Sequence, residues 1–260
     1  MRLFRRLAPD QKRSIGHWTI EFVIVLAGVL AALWLQQWDQ QRRERAEMRA
    51  AERAIHDEVR ETLKSLIWRE AIAKCHEERI AYLQSKLLER GSAWQPVPEN
   101  ALFTNLGNLP GSIAKSVYQR PLDTFTDAAW TSALATGAIR SMDRQRFATL
   151  VGVYDAVHVL QRTRELEDHA ATVLSPLGLP VELTPEMRAD MLRGIYDVDR
   201  SRFTFALINP RDLADTMKEL GWNDAAEIDE SIRASTQDAA SRGLQFRPCI
   251  APQKNPFRVR

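Results

Sequence analysis

The residues with the widest chemical reach are few: two cysteines, Cys75 and Cys249, and five histidines in 260 residues. Cys75 opens the run Cys75-His76-Glu77-Glu78, which contains thiol, imidazole and carboxylate, all metal-ligand types. Adjacent residues on a helix point about 100° apart, so this run is expected to be a helix surface rather than a metal site. His158 and His169 share a helical face but sit roughly 16 Å apart along the axis, too far to hold one ion, and His56 and His76 are farther apart still. Ser112-Ile113-Ala114-Lys115 matches the SxxK of serine acylases, where lysine and serine cooperate in nucleophile activation, but no SDN or KTG companion occurs. GxGxxG, GxxxxGK, HExxH, GxSxG and CxxC are also absent. The expectation is therefore a chain without catalytic, cofactor or metal residues, and not an enzyme.

One further carboxyl stands out by its surroundings. Glu21 is the only formal charge from Ile15 to Leu35, a run of 21 residues that as a helix spans roughly 31 Å, about one hydrocarbon core. The rest of the chain is polar: 27% of residues are charged and the mean hydropathy is -0.34. A single membrane crossing over 15–38 follows. A cleaved signal peptide fits less well, because the run exceeds the usual ~7 to 15 residue apolar region and lacks a small-x-small cleavage site. Trp18 near one end, and Trp34 and Trp38 near the other, match the interfacial belts of a spanning helix.

Helical spacing puts Glu21, Gly28 and Ala32 on one face, where small residues let a second helix approach and a protonated carboxyl can share a hydrogen bond. Intramembrane acids also serve ion pathways, but a single span with one acid near its end favours a helix contact, and with it a homo-oligomer. Arg2, Arg5, Arg6, Lys12 and Arg13 precede the span directly, whereas the basic residues beyond it are interleaved with Asp39, Glu44, Glu47 and Glu52. The 1–14 basic tail is thus expected in the cytoplasm and the bulk of the chain outside it. The location expected is a bacterial inner membrane.

The elements follow from punctuation. No Gly or Pro occurs between Gly28 and Gly91, and the segment is rich in Ala, Arg, Glu, Gln and Leu, so one helix should leave the bilayer and run to about Arg90. Its part from Asp39 to Lys64 carries seven basic and seven acidic residues, with Asp39/Arg43, Arg43/Glu47 and Arg53/Asp57 at pairing distance. That is a solvated face, with no nucleic-acid role. Val59, Leu66, Ala73, Ile80 and Leu87 recur every seven residues, joined by Ile55, Leu63 and Leu83. A coiled-coil seam and the core face of a bundle both fit, and the irregular second heptad position favours the bundle.

Residues 91 to 122 read as a loop-rich connection. Helices are expected from Asp123 or Thr124 to Gly137, about 143–174, 185–205, 210–220 and 224–242, with "SPLGLP" as a break and "RFTFALI" as a helix end. The fold class is all-α: a transmembrane helix continuing into a stalk helix (39–90) that packs into an irregular bundle (91–242). A basic, proline-bearing 243–260 tail lies extended over the surface. In an oxidising compartment Cys75 and Cys249 would tie that tail to the long helix; in a reducing one they are two thiols.

Residues 20–40, "IEFVIVLAGVLAALWLQQWDQ", and the block "AAWTSALATGAIRSMDRQRFATLVGVYDAV" at 128–157, with Trp130, Thr136, Gly137 and Tyr154, resemble an uncharacterised family of small single-pass bacterial membrane proteins. The likeness covers roughly 20–60 and 125–160, with Ile20 where a small residue commonly precedes the Glu. It implies a membrane-anchored helical protein and no established activity. From the residues themselves, Trp130, Leu134 and Ile139 should pack inside while Thr136 and Gly137 turn the chain. Three functions compete: a membrane-anchored interaction or scaffold protein, self-associating or bound to an envelope partner; an extracytoplasmic ligand sensor, for which the short tail demands a signalling partner; and, least supported, an enzyme.

Overall fold

The computed structural model describes residues 9–96, 117, 118, 121, 123–241 and 249–258. One helix, α1, runs unbroken from Pro9–Leu88, 80 residues, or roughly 120 Å at 1.5 Å per residue. From Glu21 to Glu47 every side chain is exposed. From Ile55 onward one face disappears into the molecule: Ile55, Val59, Leu63, Leu66, Ile80, Leu83 and Leu87 are buried. The heptad-like stripe is therefore the spine of a bundle, and other elements of the same chain cover it. Asp39 and Arg43 pair at 2.7 Å on the exposed part. Asp57 is held by Arg60 rather than by Arg53, and Arg60 also reaches Glu227 at 2.6 Å.

Five helices follow: α2 (Ala128–Thr136), α3 (Arg144–Leu174), α4 (Pro185–Leu207), α5 (Pro210–Glu219) and α6 (Ala225–Ser241). α1 packs on α2, α4 and α5, and α3 packs on α4. Side-chain caps set the starts: Asp143 accepts from Gln145 N and Arg146 N, Thr184 from Met187 N, and Asn209 from Arg211 N. "RFTFALI" is the end of α4, and "SPLG" is a short 3-10 turn closing α3. The fold is all-α, apart, among the described residues, from a two-residue antiparallel pairing of β1 (Ala93–Trp94) with β2 (Val181–Glu182) that no alternation in the sequence signals.

α2 begins only at Ala128, not directly after Asp123 or Thr124. Asp123 does not cap it, because its carboxylate is buried against Arg69. Nor does the side chain of Asp127, which accepts from His158 and Gln161. Instead Glu58 of α1 supplies the acceptors: its two oxygens take Ala129 N at 2.6 Å and Thr126 Oγ1 at 3.0 Å. Burial pushes the Glu58 carboxyl up, against these hydrogen bonds. A helix start is thus borrowed from another helix, a long-range substitute for a local cap.

The apolar core has two parts. One joins Ile55, Val59, Leu63 and Leu66 to Trp130, Leu150, Tyr154, Phe205, Met217 and Ile228. The other joins Ile80, Leu83 and Leu87 to Trp94, Leu174, Leu177, Ile195 and Val198. Trp130 stacks on Tyr154 with ring centroids 4.9 Å apart. Leu134, expected inside, is 46% exposed: Trp130 and Ala133 fill the inner face of the short α2, and Leu134 falls on the outer side of its last turn.

Cys75 and Cys249, 174 positions apart in sequence, form a disulfide, with Cα atoms 4.8 Å apart. Beyond it the chain does not merely lie on the surface. Ala251 N donates to Ala71 O at 2.8 Å, and Asn255 is buried and donates to Ala225 O and Asp229 of α6. Phe257 packs against the first core.

Gly137 closes α2 with φ of 71°, and an added Cβ would lie 2.6 Å from Arg140 Nε. Gly137→Ala is expected to cost about 1 kcal/mol or somewhat more in denaturant unfolding, from the left-handed conformation alone. Replacing both Cys75 and Cys249 by Ser should lower stability by up to about 5 kcal/mol, the chain-entropy value for a loop of this length. The check is whether reductant lowers the unfolding midpoint of the parent protein and leaves that of the double variant unmoved.

Candidate functional site

Between the two apolar cores lies a layer of charge. Arg69 of α1 donates through Nε to Asp123 and through Nη2 to Glu167 of α3 at 2.8 Å. The other oxygen of Glu167 accepts from Tyr118 OH at 2.8 Å, and that hydroxyl is 3.3 Å from His76 Nδ1. Glu167 is 1% exposed and Arg69 8%. The Arg69 guanidinium also lies 3.5 Å from the ring centroid of Phe205, a cation–π contact strengthened by the burial of both side chains.

The electrostatics follow from burial. Desolvation works against the Arg69 charge, but the carboxylates of Glu167 and Asp123 more than offset it, so the guanidinium holds its proton more firmly than usual. Burial pushes the Asp123 carboxyl up, opposed by Arg69 and reinforced by the neighbouring charge of Glu167. Two acids sharing one buried arginine hold α1, α3 and the segment before α2 in register. No group of three His, Cys, Asp or Glu suited to a metal occurs among the described residues.

Beside this layer is a cavity of about 210 Å³, walled by Leu66 and Ala73 of α1, by Phe205 and Ile208, and by the polar faces of Arg69 and Glu167. Here buried charge and open space meet on the spine helix.

The residues singled out from sequence are dispersed. Glu21, Gly28 and Ala32 lie on the unpacked part of α1, with nothing within 4 Å of where a Cβ on Gly28 would stand. Cys75 and His76 are buried, contrary to a surface reading of Cys75 to Glu78; only Glu77 and Glu78 face out. The disulfide and the polar layer draw the first two inward. His158 pairs with Asp127 at 3.0 Å, and His56 pairs with Asp224 at 2.7 Å while stacking on Trp222. Trp130, Thr136, Gly137 and Tyr154 build the α2–α3 corner; burial pushes the Tyr154 phenol up, out of any titration near neutrality. Ser112 to Lys115 lie outside the described residues.

Sequence reasoning misses Arg69, Tyr118, Asp123 and Glu167. Two of them carry a signal: Glu167 stands on the apolar stripe of α3 between Leu160 and Leu174, and Arg69 sits within the stripe of α1 between Leu66 and Ile72. A charge at a core position needs a partner, and here each is the other's. No family model matches the chain, and neither the curated proteins nor the solved structures contain a match to it.

Replacing Arg69 by Met leaves two buried carboxylates without their cation and is expected to cost about 3–5 kcal/mol. Joint replacement of Arg69, Asp123 and Glu167 by apolar residues of similar volume should recover most of that loss. Equilibrium unfolding of the single and triple variants measures both, and a triple variant no better than the single would contradict this account.

Proposed function

We propose that the protein is a membrane-anchored helical interaction or scaffold protein of the bacterial envelope. It crosses the inner membrane once, with its N-terminus in the cytoplasm and its bundle outside. The observation that carries the reading is the character of α1. One helix is long and apolar enough to span a membrane near the N-terminus, and the same helix is the spine of the folded domain. Phe22, Ile24, Leu30, Leu33 and Trp34 are each more than half exposed, an apolar surface far larger than an isolated soluble domain tolerates. Lipid is the partner that suits it.

Other features fit the same arrangement. Arg42 lies 4.6 Å over the Trp38 ring, a cation paired with an aromatic at the expected interface. The Cys75–Cys249 disulfide suits an oxidising compartment. The likeness of 20–40 and 128–157 to single-pass bacterial membrane proteins points the same way. No described residue of the bundle covers Glu21, Gly28 and Ala32, so they are available to a second copy of the helix or to an envelope protein. This reading includes no catalytic step.

The first test is topology. A C-terminal reporter active only outside the cytoplasm should be active, and its cytoplasm-active counterpart silent; the reverse pattern rejects the orientation. Self-association is tested separately by cross-linking in native membranes. Replacing Gly28 or Ala32 by Leu should reduce the cross-linked species about tenfold, the effect of removing close helix packing worth about 1.4 kcal/mol. An unchanged oligomer would remove this face from the contact.

A further inference from the structure

The cavity beside Arg69 has a chemistry of its own. Its charged lining residues cancel in number, Arg69 and Arg202 against Glu70 and Glu167. Arg202 is engaged by Asp199 at 2.9 Å. Asp123 behind Arg69 and Asp199 on Arg202 leave the surroundings net negative, which disfavours a carboxylate, and a cation would sit against two guanidinium groups with no acceptor to offer them. An uncharged molecule meets neither.

At the arginine wall the spare hydrogen-bonding capacity is that of a donor. Arg69 commits Nε to Asp123 and Nη2 to Glu167, and its Nη1 donates to no described residue. An arginine almost wholly out of water thus lines an open cavity with donors in reserve. These donors are available to an acceptor that enters the cavity. The remaining wall is mostly apolar, with Leu66, Ala73, Phe205 and Ile208 beside the polar side chains of His76 and Asn209. A ligand that fits brings a hydrocarbon or aromatic body and one accepting oxygen.

We infer that this cavity binds a small uncharged molecule carrying a carbonyl group, an amide, ester or lactone. Its oxygen accepts from Arg69 Nη1 and its apolar body lies against Phe205, Leu66 and Ala73. The space suits a single ring with a short substituent, since a cavity of about 150 Å³ accommodates benzene and this one measures about 210 Å³. The walls come from α1, α3 and α4 together, so occupancy bridges the spine helix to the two helices packed beside it. The inference concerns the bundle alone and stands whichever way the anchor helix is oriented.

The test uses the full chain in lipid nanodiscs and fluorine NMR of para-fluoro-N-methylbenzamide, with empty nanodiscs as the reference for partition into lipid. Saturable binding is expected with a dissociation constant of about 1 mM, usual for a fragment of this size. The charged analogue para-fluorobenzoate should bind at least about tenfold more weakly, as should para-fluorotoluene, which lacks the carbonyl. Ala206→Trp, an exposed rim position, and Ala73→Phe, on the opposite wall, should each abolish saturation while circular dichroism shows the parent fold. Absence of saturable binding to the parent overturns the proposal. So does binding unchanged in a folded Ala206→Trp protein, or benzoate binding as tightly as the amide.

Discussion

A guanidinium taken out of water must be met by negative charge, and much of this bundle is arranged around that requirement. Arg69 sits midway along the buried stretch of α1, and the two carboxylates that meet it come from α3 and from the strand of chain leading into α2. Once Asp123 is drawn to Arg69, it cannot start α2, and the cap must come from Glu58 one layer away. Once Glu167 is drawn in, the register of α3 against α1 is set, because sliding by one turn, ~5.4 Å, would strand both charges in an apolar core. Apolar packing tolerates small slips and a buried ion triad does not. The two apolar cores supply cohesion, and the charged layer between them supplies alignment.

The same layer explains why the disulfide and the C-terminal segment lie where they do. Cys75 is adjacent to His76, whose ring meets Tyr118, which in turn holds Glu167. The covalent link therefore fastens the tail at the level of the buried charges, where the outer wall of α1 needs cover. Ala251 and Asn255 then take up backbone and side-chain partners on α1 and α6. The tail acts as a structural strand of the domain, although its composition reads as a loose, basic, proline-bearing end.

Much of the architecture is legible in the sequence because it rests on local rules. The absence of Gly and Pro beyond Gly28 announces the long helix, the Thr184-Pro185 and Asn209-Pro210 pairs mark two helix starts, and Gly137 marks a helix end. What escapes such reading is non-local. The start of α2 depends on a residue 71 positions away in the chain, and the β1–β2 pairing joins two-residue segments too short to show alternation. Arg69 and Glu167 are separated by 98 positions, and a helical charge looks the same in sequence whether water or a carboxylate faces it. Position on an apolar stripe is the only clue, and it identifies neither the partner nor the cavity beside them. The outward turn of Leu134 likewise depends on how narrow the α2 contact is, which composition does not encode.

An unbroken helix has no hinge, and that gives α1 a mechanical property beyond its packing role. Counting from Leu35, the buried spine begins at Ile55, roughly 30 Å farther along the axis, and α1 ends at Leu88 after roughly 80 Å. Were 15–35 seated in a bilayer, as proposed, the bundle would stand clear of the headgroups like a flag on a pole. A lean of ten degrees or so at the base, within the usual range for spanning helices, carries the far end of the domain sideways by about 14 Å. Whatever packing or interfacial anchors set that lean would thereby decide what the domain can reach.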